Sequence, residues 1–321
     1  MKCINKWICL SLLIAVSCVS GCGKTSVAIE QPYDVYATAA DFGLSSNGTA
    51  EAKSYFASDL CVSEDVAIGT DSTDSQVAEG AGTFNLETNT VVYAKNLYER
   101  LYPASTTKIL TAYIALKYCD DLDAMVTVSE NAVNQASDSS VCNLKAGDVI
   151  RLRDLLYGLM LRSGNDAAVA IAEYISGDVD SFAALMNQEA AAMGATRSHF
   201  VNPNGLPDEN HYTCVYDMYL IFSNAVKNDT FVSIIGTTSY DVTYTDASGE
   251  AVTHTWENTN QYLTGNATTP DGFQIVGGKT GTTGEAGYCL VLYSYNPSGQ
   301  PIISIVFKAD GKSNLLSLIH I

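Results

Sequence analysis

The order in which periodicities change along the chain limits its fold more than any single residue does. Two short alternating runs, 82–86 and 90–94, flank the turn residues Glu87-Thr88-Asn89 and read as a strand pair. The pattern then becomes helical. A helix is expected over 105–119 behind Pro103, a second over 152–161, a third over 166–174 and a fourth over 179–193, with Gly194 placed to end the last. Beyond Gly205 the texture returns to strands, at 240–245, 251–256, 274–279, 287–295 and 301–308. Strands, a helical block and strands again predict a mixed α+β fold: a mostly antiparallel sheet covered by helices, with an inserted helical subdomain.

Composition narrows the class of function. Hydrophobic residues make up 47% of the 321 and charged residues 16%, enough apolar content for a large core and too much for a disordered chain. The formal charge of -18 excludes the basic surface that nucleic acid or an anionic lipid surface would need. The N-terminus has its own logic. Lys2 and Lys6 precede an apolar stretch, 7–19, whose 13 residues fall short of the ~20 needed to span a bilayer. Val19-Ser20-Gly21-Cys22 then resembles the lipobox of bacterial lipoproteins, in which the cysteine is diacylated and becomes the mature N-terminus. Residues 1–21 are therefore expected to be a signal peptide, Cys22 a lipidation site, and the protein an exported one held at a membrane by its lipid. Losing residues 1–21 removes two positive charges and leaves -20. Segment 22–77, rich in Ser, Thr, Ala, Asp and Gly, reads as a tether followed by a stretch of no clear pattern, and 78–321 as the main folded domain. The remaining cysteines, Cys61, Cys119, Cys142, Cys214 and Cys289, are odd in number and widely spaced, which favours isolated buried thiols over a zinc site or a disulfide framework.

Three short motifs carry chemistry. Ser105 and Lys108 stand at i and i+3 at a helix start, where a lysine of lowered proton affinity could deprotonate the hydroxyl; alone, the pair also reads as a helix cap beside a solvated lysine. Ser163-Gly164-Asn165 falls between two expected helices, where Ser163 could relay a proton and Asn165 could hold an amide, although a capping turn would use the same residues. Lys279-Thr280-Gly281 ends a strand-like run and offers a cation and a hydroxyl to a carboxylate, with Gly281 admitting close approach; its plainer reading is a strand ending in a turn.

Taken in this order, S-x-x-K, S-G-N and K-T-G resemble the β-lactamase and penicillin-binding superfamily. The flanks are similar to serine D-alanyl-D-alanine carboxypeptidases, the low-molecular-mass penicillin-binding proteins. They include Tyr102-Pro103-Ala104 before Ser105, the stretch from His199 to Leu206, and Thr282-Thr283 after Gly281. The resemblance covers about residues 78–310 and implies a β-lactamase/transpeptidase-like fold. It implies Ser105 as nucleophile, Lys108 as its base and Ser163 as a proton relay. Asn165, Lys279, Thr280, Gly281, Thr282 and Thr283 would bind substrate, and the backbone N–H groups of Ser105 and Thr282 would form the oxyanion hole. The implied substrate is a peptidoglycan stem peptide ending in D-Ala-D-Ala, with β-lactam antibiotics as inhibitors and no metal or cofactor. His199, His211 and Asp217 have no metal-binding spacing and read as structural, with Asp217 bracing its loop. No E-x-x-L-N pattern, which a class A β-lactamase would use for deacylation, lies between Asn165 and Lys279. A β-lactamase and a catalytically inactive lipoprotein that binds wall peptide are the rival readings. Relative to the family pattern, Ser313-Asn314-Leu315-Leu316 looks like the start of a C-terminal helix that stops early.

Overall fold

The computed structural model describes residues 57, 59–64, 66–69, 78–312 and 315, and the described residues from Asp59 onward form one body. The signal peptide, Cys22 and most of the tether lie outside the described residues. So do 313, 314 and 316–321, where the sequence suggests a closing helix.

Strands β1 (Ala78–Asn85) and β2 (Thr90–Lys95) make the expected hairpin; the Asn85 side chain accepts the N–H groups of Glu87 and Thr88 at 3.0 and 3.1 Å and bends the chain. They join β7 (Gln274–Thr283), β8 (Gly287–Tyr295) and β9 (Pro301–Ala309) in a five-stranded antiparallel sheet of order β2-β1-β9-β8-β7. Both faces are covered. Val291, Ile303, Ile305 and Phe307 point into the main core with the helices, while Leu290, Leu292 and Val306 pack with Tyr262 and Leu315 on the other side. This is why β8 and β9 read as nearly continuous apolar runs.

A 3-10 turn (Ala104–Thr107) leads into α1 (Lys108–Tyr118), so the expected single helix begins tightly wound. Helix α1 is buried on most sides, as Ile109, Leu110, Ala112, Ile114 and Ala115 show. Around it pack α3 (Leu152–Leu161), α4 (Asn165–Ser176), α5 (Val179–Ala192) and α6 (Val215–Ala225). Gly194 follows α5 at φ +85°, as its position predicts.

Four features depart from the sequence reading. Residues 215–235, assigned to no element, form α6 and α7 (Asp229–Ile235); Cys214 Sγ accepts the Asp217 N–H and the Asn228 side chain accepts the Phe231 N–H as caps. A second, four-stranded antiparallel sheet joins β3 (Met125–Thr127), β4 (Val149–Arg151), β5 (Ser239–Thr245) and β6 (Ala251–Glu257) in that order, with a short α2 (Glu130–Val133) between its first two strands. Strand β7 does not end at Lys279: its pairing with β8 continues to Thr283. Finally, packing starts before residue 78. Cys61 N–H donates to Tyr219 Oη at 2.8 Å, Tyr216 Oη donates to the Cys61 carbonyl at 2.9 Å, and Ile68 pairs with Ala94 beside β2. Cys61, Cys119, Cys142, Cys214 and Cys289 are all free thiols, four of them buried.

Candidate active site

The turn that carries Ser105 is wedged between two glycines. Ala104 adopts φ +48°, a left-handed conformation that costs a non-glycine residue about 1–3 kcal/mol unless its surroundings impose it. They do. A Cβ on Gly205 would lie 1.8 Å from the Ala104 carbonyl oxygen, and one on Gly281 would lie 2.9 Å from the Ser105 nitrogen. Strand β7 and the loop after Val201 therefore press on the turn from two sides, at a closeness only glycine permits.

Lys108 begins α1 and its side chain is fully buried. Its Nζ donates to Ser105 Oγ at 2.9 Å, to Asn165 Oδ1 at 2.8 Å and to the Asn204 carbonyl at 2.6 Å. Burial holds the amine well below the ordinary lysine range, and the nearby charge of Lys279 lowers it further. Lys279 is buried on β7, donates to the Thr280 carbonyl at 2.8 Å, and is brought by burial down to about 7.

Ser163-Gly164-Asn165 forms the bend between α3 and α4. Ser163 is buried in left-handed backbone at φ +61°, and its hydroxyl makes no hydrogen bond among the described residues. Asp166, next to Asn165, accepts the N–H groups of Cys142 and Leu144, and the Asn165 N–H donates to the Ser140 carbonyl at 2.8 Å. These bonds attach the loop through Asp138 and Ser140 to the start of α4 and make it one wall of a cleft of about 420 Å³. Ser105, Asn165, Leu206, Thr282, Thr283 and Glu285 also line it.

Of the sequence-predicted residues, Ser105, Lys108 and Asn165 meet directly, Gly281 abuts the Ser105 turn, Lys279 acts on Lys108 by its charge, and Thr282 and Thr283 line the same cleft, whereas Ser163 and Thr280 make no hydrogen bond to the first three. Asn165 contacts the lysine as well as facing the cleft. The Thr283 hydroxyl accepts the Ala286 N–H at 3.0 Å and secures the β7–β8 turn, and the Thr282 hydroxyl donates to the Gly281 carbonyl at 2.7 Å. The Thr280 hydroxyl shares a hydrogen with Thr259 Oγ1 at 2.9 Å, a partner the motifs did not indicate. Nor did they indicate the Asn204 carbonyl on Lys108, because a backbone acceptor has no residue-type signature. His199 and His211 lie away from any metal-binding group among the described residues. Asp217 Oδ2 accepts the Arg197 N–H and the Ser198 hydroxyl, both at 2.7 Å, and so braces the loop before His199.

A serine hydrogen-bonded to a buried lysine stands at a helix start abutting the edge strand of an antiparallel sheet, on a β-lactamase-like fold. The chain belongs to the D-alanyl-D-alanine carboxypeptidase family, whose model matches residues 69–311. It is 34% identical over 238 residues to D-alanyl-D-alanine carboxypeptidase DacF of Bacillus subtilis, covering 73% of this chain and 58% of that protein. It is 36% identical over 242 residues to the D-alanyl-D-alanine carboxypeptidase of Streptomyces sp. (strain K15), covering 72% of this chain and 81% of the relative. Among solved structures, the Streptomyces DD-transpeptidase from that strain superposes with a TM-score of 0.70 at 33% identity, over 77% of this chain and 95% of the other. The D-alanyl-D-alanine carboxypeptidase DacD of Francisella tularensis gives 0.68 at 28% identity, over 81% and 72%.

Proposed function

We propose that this chain is a serine D,D-carboxypeptidase that removes the terminal D-alanine from peptidoglycan stem pentapeptides through an acyl-enzyme on Ser105. The observation that carries the proposal is the 2.9 Å contact between Ser105 Oγ and the fully buried Lys108 amine. A neutral amine keeps two N–H groups for Asn165 Oδ1 and the Asn204 carbonyl and turns its lone pair to the Ser105 hydroxyl. Ser105 Oγ then attacks the carbonyl between the two D-alanines while its proton passes to Lys108 Nζ. The oxyanion is received by the backbone N–H groups of Ser105 and Thr282; in support, Gly281, next to Thr282, lies so near the Ser105 nitrogen that a Cβ would stand 2.9 Å from it. Collapse breaks the C–N bond, and the departing D-alanine amine takes the proton, relayed by Ser163. Water adds to the ester carbonyl, Lys108 again accepts a proton, and C–O cleavage returns the Ser105 hydroxyl.

In the bound state Asn165 holds the substrate amide, and Lys279, Thr280 and Thr282 hold the terminal carboxylate, with Gly281 and Thr283 shaping the strand beneath it. A β-lactam presents a similar carbonyl and carboxylate and acylates the same serine. Fluorescent penicillin should label the purified protein but not Ser105→Ala, and the wild type should release D-alanine from a pentapeptide. Fast turnover of a chromogenic cephalosporin would instead make it a β-lactamase; a folded wild type that took no label would make it a peptide-binding protein.

The place of action follows from the leader. The reading holds that residues 1–21 are removed, Cys22 is diacylated, and the catalytic domain from residue 78 works on the extracytoplasmic face of a membrane. Among the described residues no helix is long and apolar enough to cross a bilayer. Wild type expressed with its leader should sediment with membranes and Cys22→Ser should not; equal fractionation of the two would remove the lipid anchor from the proposal.

A further inference from the structure

His211 is fully buried, and both its ring nitrogens are committed to segments that build the catalytic site. The Val201 N–H donates to His211 Nδ1 at 3.1 Å. That bond makes Nδ1 an acceptor, so the ring proton of the neutral imidazole resides on Nε2 and is donated to Thr107 Oγ1, 2.9 Å away. Burial pushes the imidazole down to about 4, which keeps this neutral tautomer at physiological pH. The two partners are far apart in sequence, and the ring bridges them. Thr107 directly precedes Lys108. Val201 opens the loop in which the Pro203 carbonyl accepts from Thr111 Oγ1 at 2.7 Å, the Asn204 carbonyl accepts from Lys108 Nζ at 2.6 Å, and Gly205 presses on Ala104. Upstream, the loop is fixed by Asn187, which bonds the Phe200 carbonyl and N–H, both at 2.8 Å, while the Phe200 ring meets the imidazole edge-on at 5.5 Å.

We propose that His211 is a positioning residue for acyl transfer: its imidazole ties the nucleophile turn to the 201–205 loop and thereby sets the Asn204 carbonyl against the Lys108 amine. The inference rests on Ser105 being the acylated residue. Without the tie the loop can move away from α1, and the lysine loses one of the two acceptors that aim its lone pair at Ser105. The role therefore shows in the rate of the chemical step and not in ligand binding.

The test is acylation by fluorescent penicillin under single-turnover conditions, which separates the limiting rate from the half-saturating concentration. His211→Phe keeps the ring volume and loses both bonds; Thr107→Val removes only the oxygen that Nε2–H reaches. Both are expected to lower the limiting rate at least tenfold with half-saturation unchanged within twofold. His211→Gln, whose side-chain amide retains a donor for Thr107, should recover most of the rate. Limiting rates per folded molecule equal to wild type in Thr107→Val, or in a folded His211→Phe, would overturn the proposal and leave the histidine a stability element. If His211→Phe does not fold, the comparison of Thr107→Val with His211→Gln decides the matter. A wild type that takes no label would refute the function itself, an outcome separate from either.

Discussion

A buried ammonium loses its hydration, and this fixes how Lys279 links stability to pH. Its amine falls from 10.5 to about 7 on folding, with burial as the cause. Between those values the unfolded chain holds a proton that the folded chain does not, so stability rises with pH across the window by up to about 1.4 kcal/mol per unit. Below about 7 both states are protonated and the contribution is flat. Lys108 is lowered for the same reason and partly by the Lys279 charge, so both lysines act in one direction. Burial raises the five thiols, so above about pH 8.5 they link stability to pH with the opposite sign. Urea midpoints measured from pH 7 to 8 should therefore climb in wild type and climb less steeply in Lys279→Met, and parallel slopes would show that Lys279 is not held near neutrality. At this scale the sequence was legible where chemistry depends on side-chain type at fixed spacing. Ser105 and Lys108 are three apart on one turn, and Ser163 with Asn165, and Lys279 with Thr280, sit on single bends or strands. It was illegible where a contact depends on what tertiary packing brings near. The Asn204 carbonyl, the Thr259 hydroxyl and the His211 ring fall in that group, because nothing in a loop residue's identity announces a lysine from a distant helix as its partner.

Elements place these residues through close approach. The loop carrying Asn204 fits the nucleophile turn only because Gly205, at φ +88°, has no Cβ to meet the Ala104 carbonyl. Gly205→Ala introduces both a left-handed alanine and that clash. It is expected to cost about 1–3 kcal/mol of stability. Because the turn and the Asn204 carbonyl must separate, penicillin acylation of Ser105 should also slow at least tenfold. Thermal unfolding and single-turnover labelling check the two halves, and a stable variant acylating at wild-type speed would mean the loop accommodates the methyl by moving without disturbing Lys108. Element recognition followed the strength of local signals. Helix α3 matched its expected bounds by its period, and strand β8 matched because its apolar run is bounded by Gly287 and by Asn296-Pro297. Helix α6 was hidden by its aromatic and β-branched content, Val215, Tyr216, Tyr219, Ile221 and Phe222, which suits strands as well as a buried helix. Strands β3 and β4 have three residues each, too few for alternation to appear, and exist because β5 and β6 extend their sheet.

For the whole molecule, the question is where the folded body begins. A boundary at residue 78 suits the start of β1, yet the segment from Asp59 contributes buried structure: Cys61 has no exposed surface, and Leu60 and Ile68 pack against the main core. Its backbone is tied by Tyr219, Tyr216 and the pairing of Ile68 with Ala94, while Tyr98 Oη donates to the Ser63 carbonyl at 2.6 Å. Tyr219 is the link inward, since its ring stacks on Phe84 at 4.2 Å between α6 and β1. Removing the segment would expose the outer edge of β2 and leave the hydroxyls of Tyr216 and Tyr219 without these partners; at about 1 kcal/mol per hydrogen bond plus the lost apolar burial, the cost is roughly 3–5 kcal/mol. A chain starting at residue 78 should then unfold about 6–20 °C below one starting at residue 59. The cleft lies at the opposite edge of the sheet, beside β7, four strands away from β2. At a temperature where both chains are folded, their acylation rates should agree within about twofold, whereas coincident melting curves would restore residue 78 as the start of the folded body.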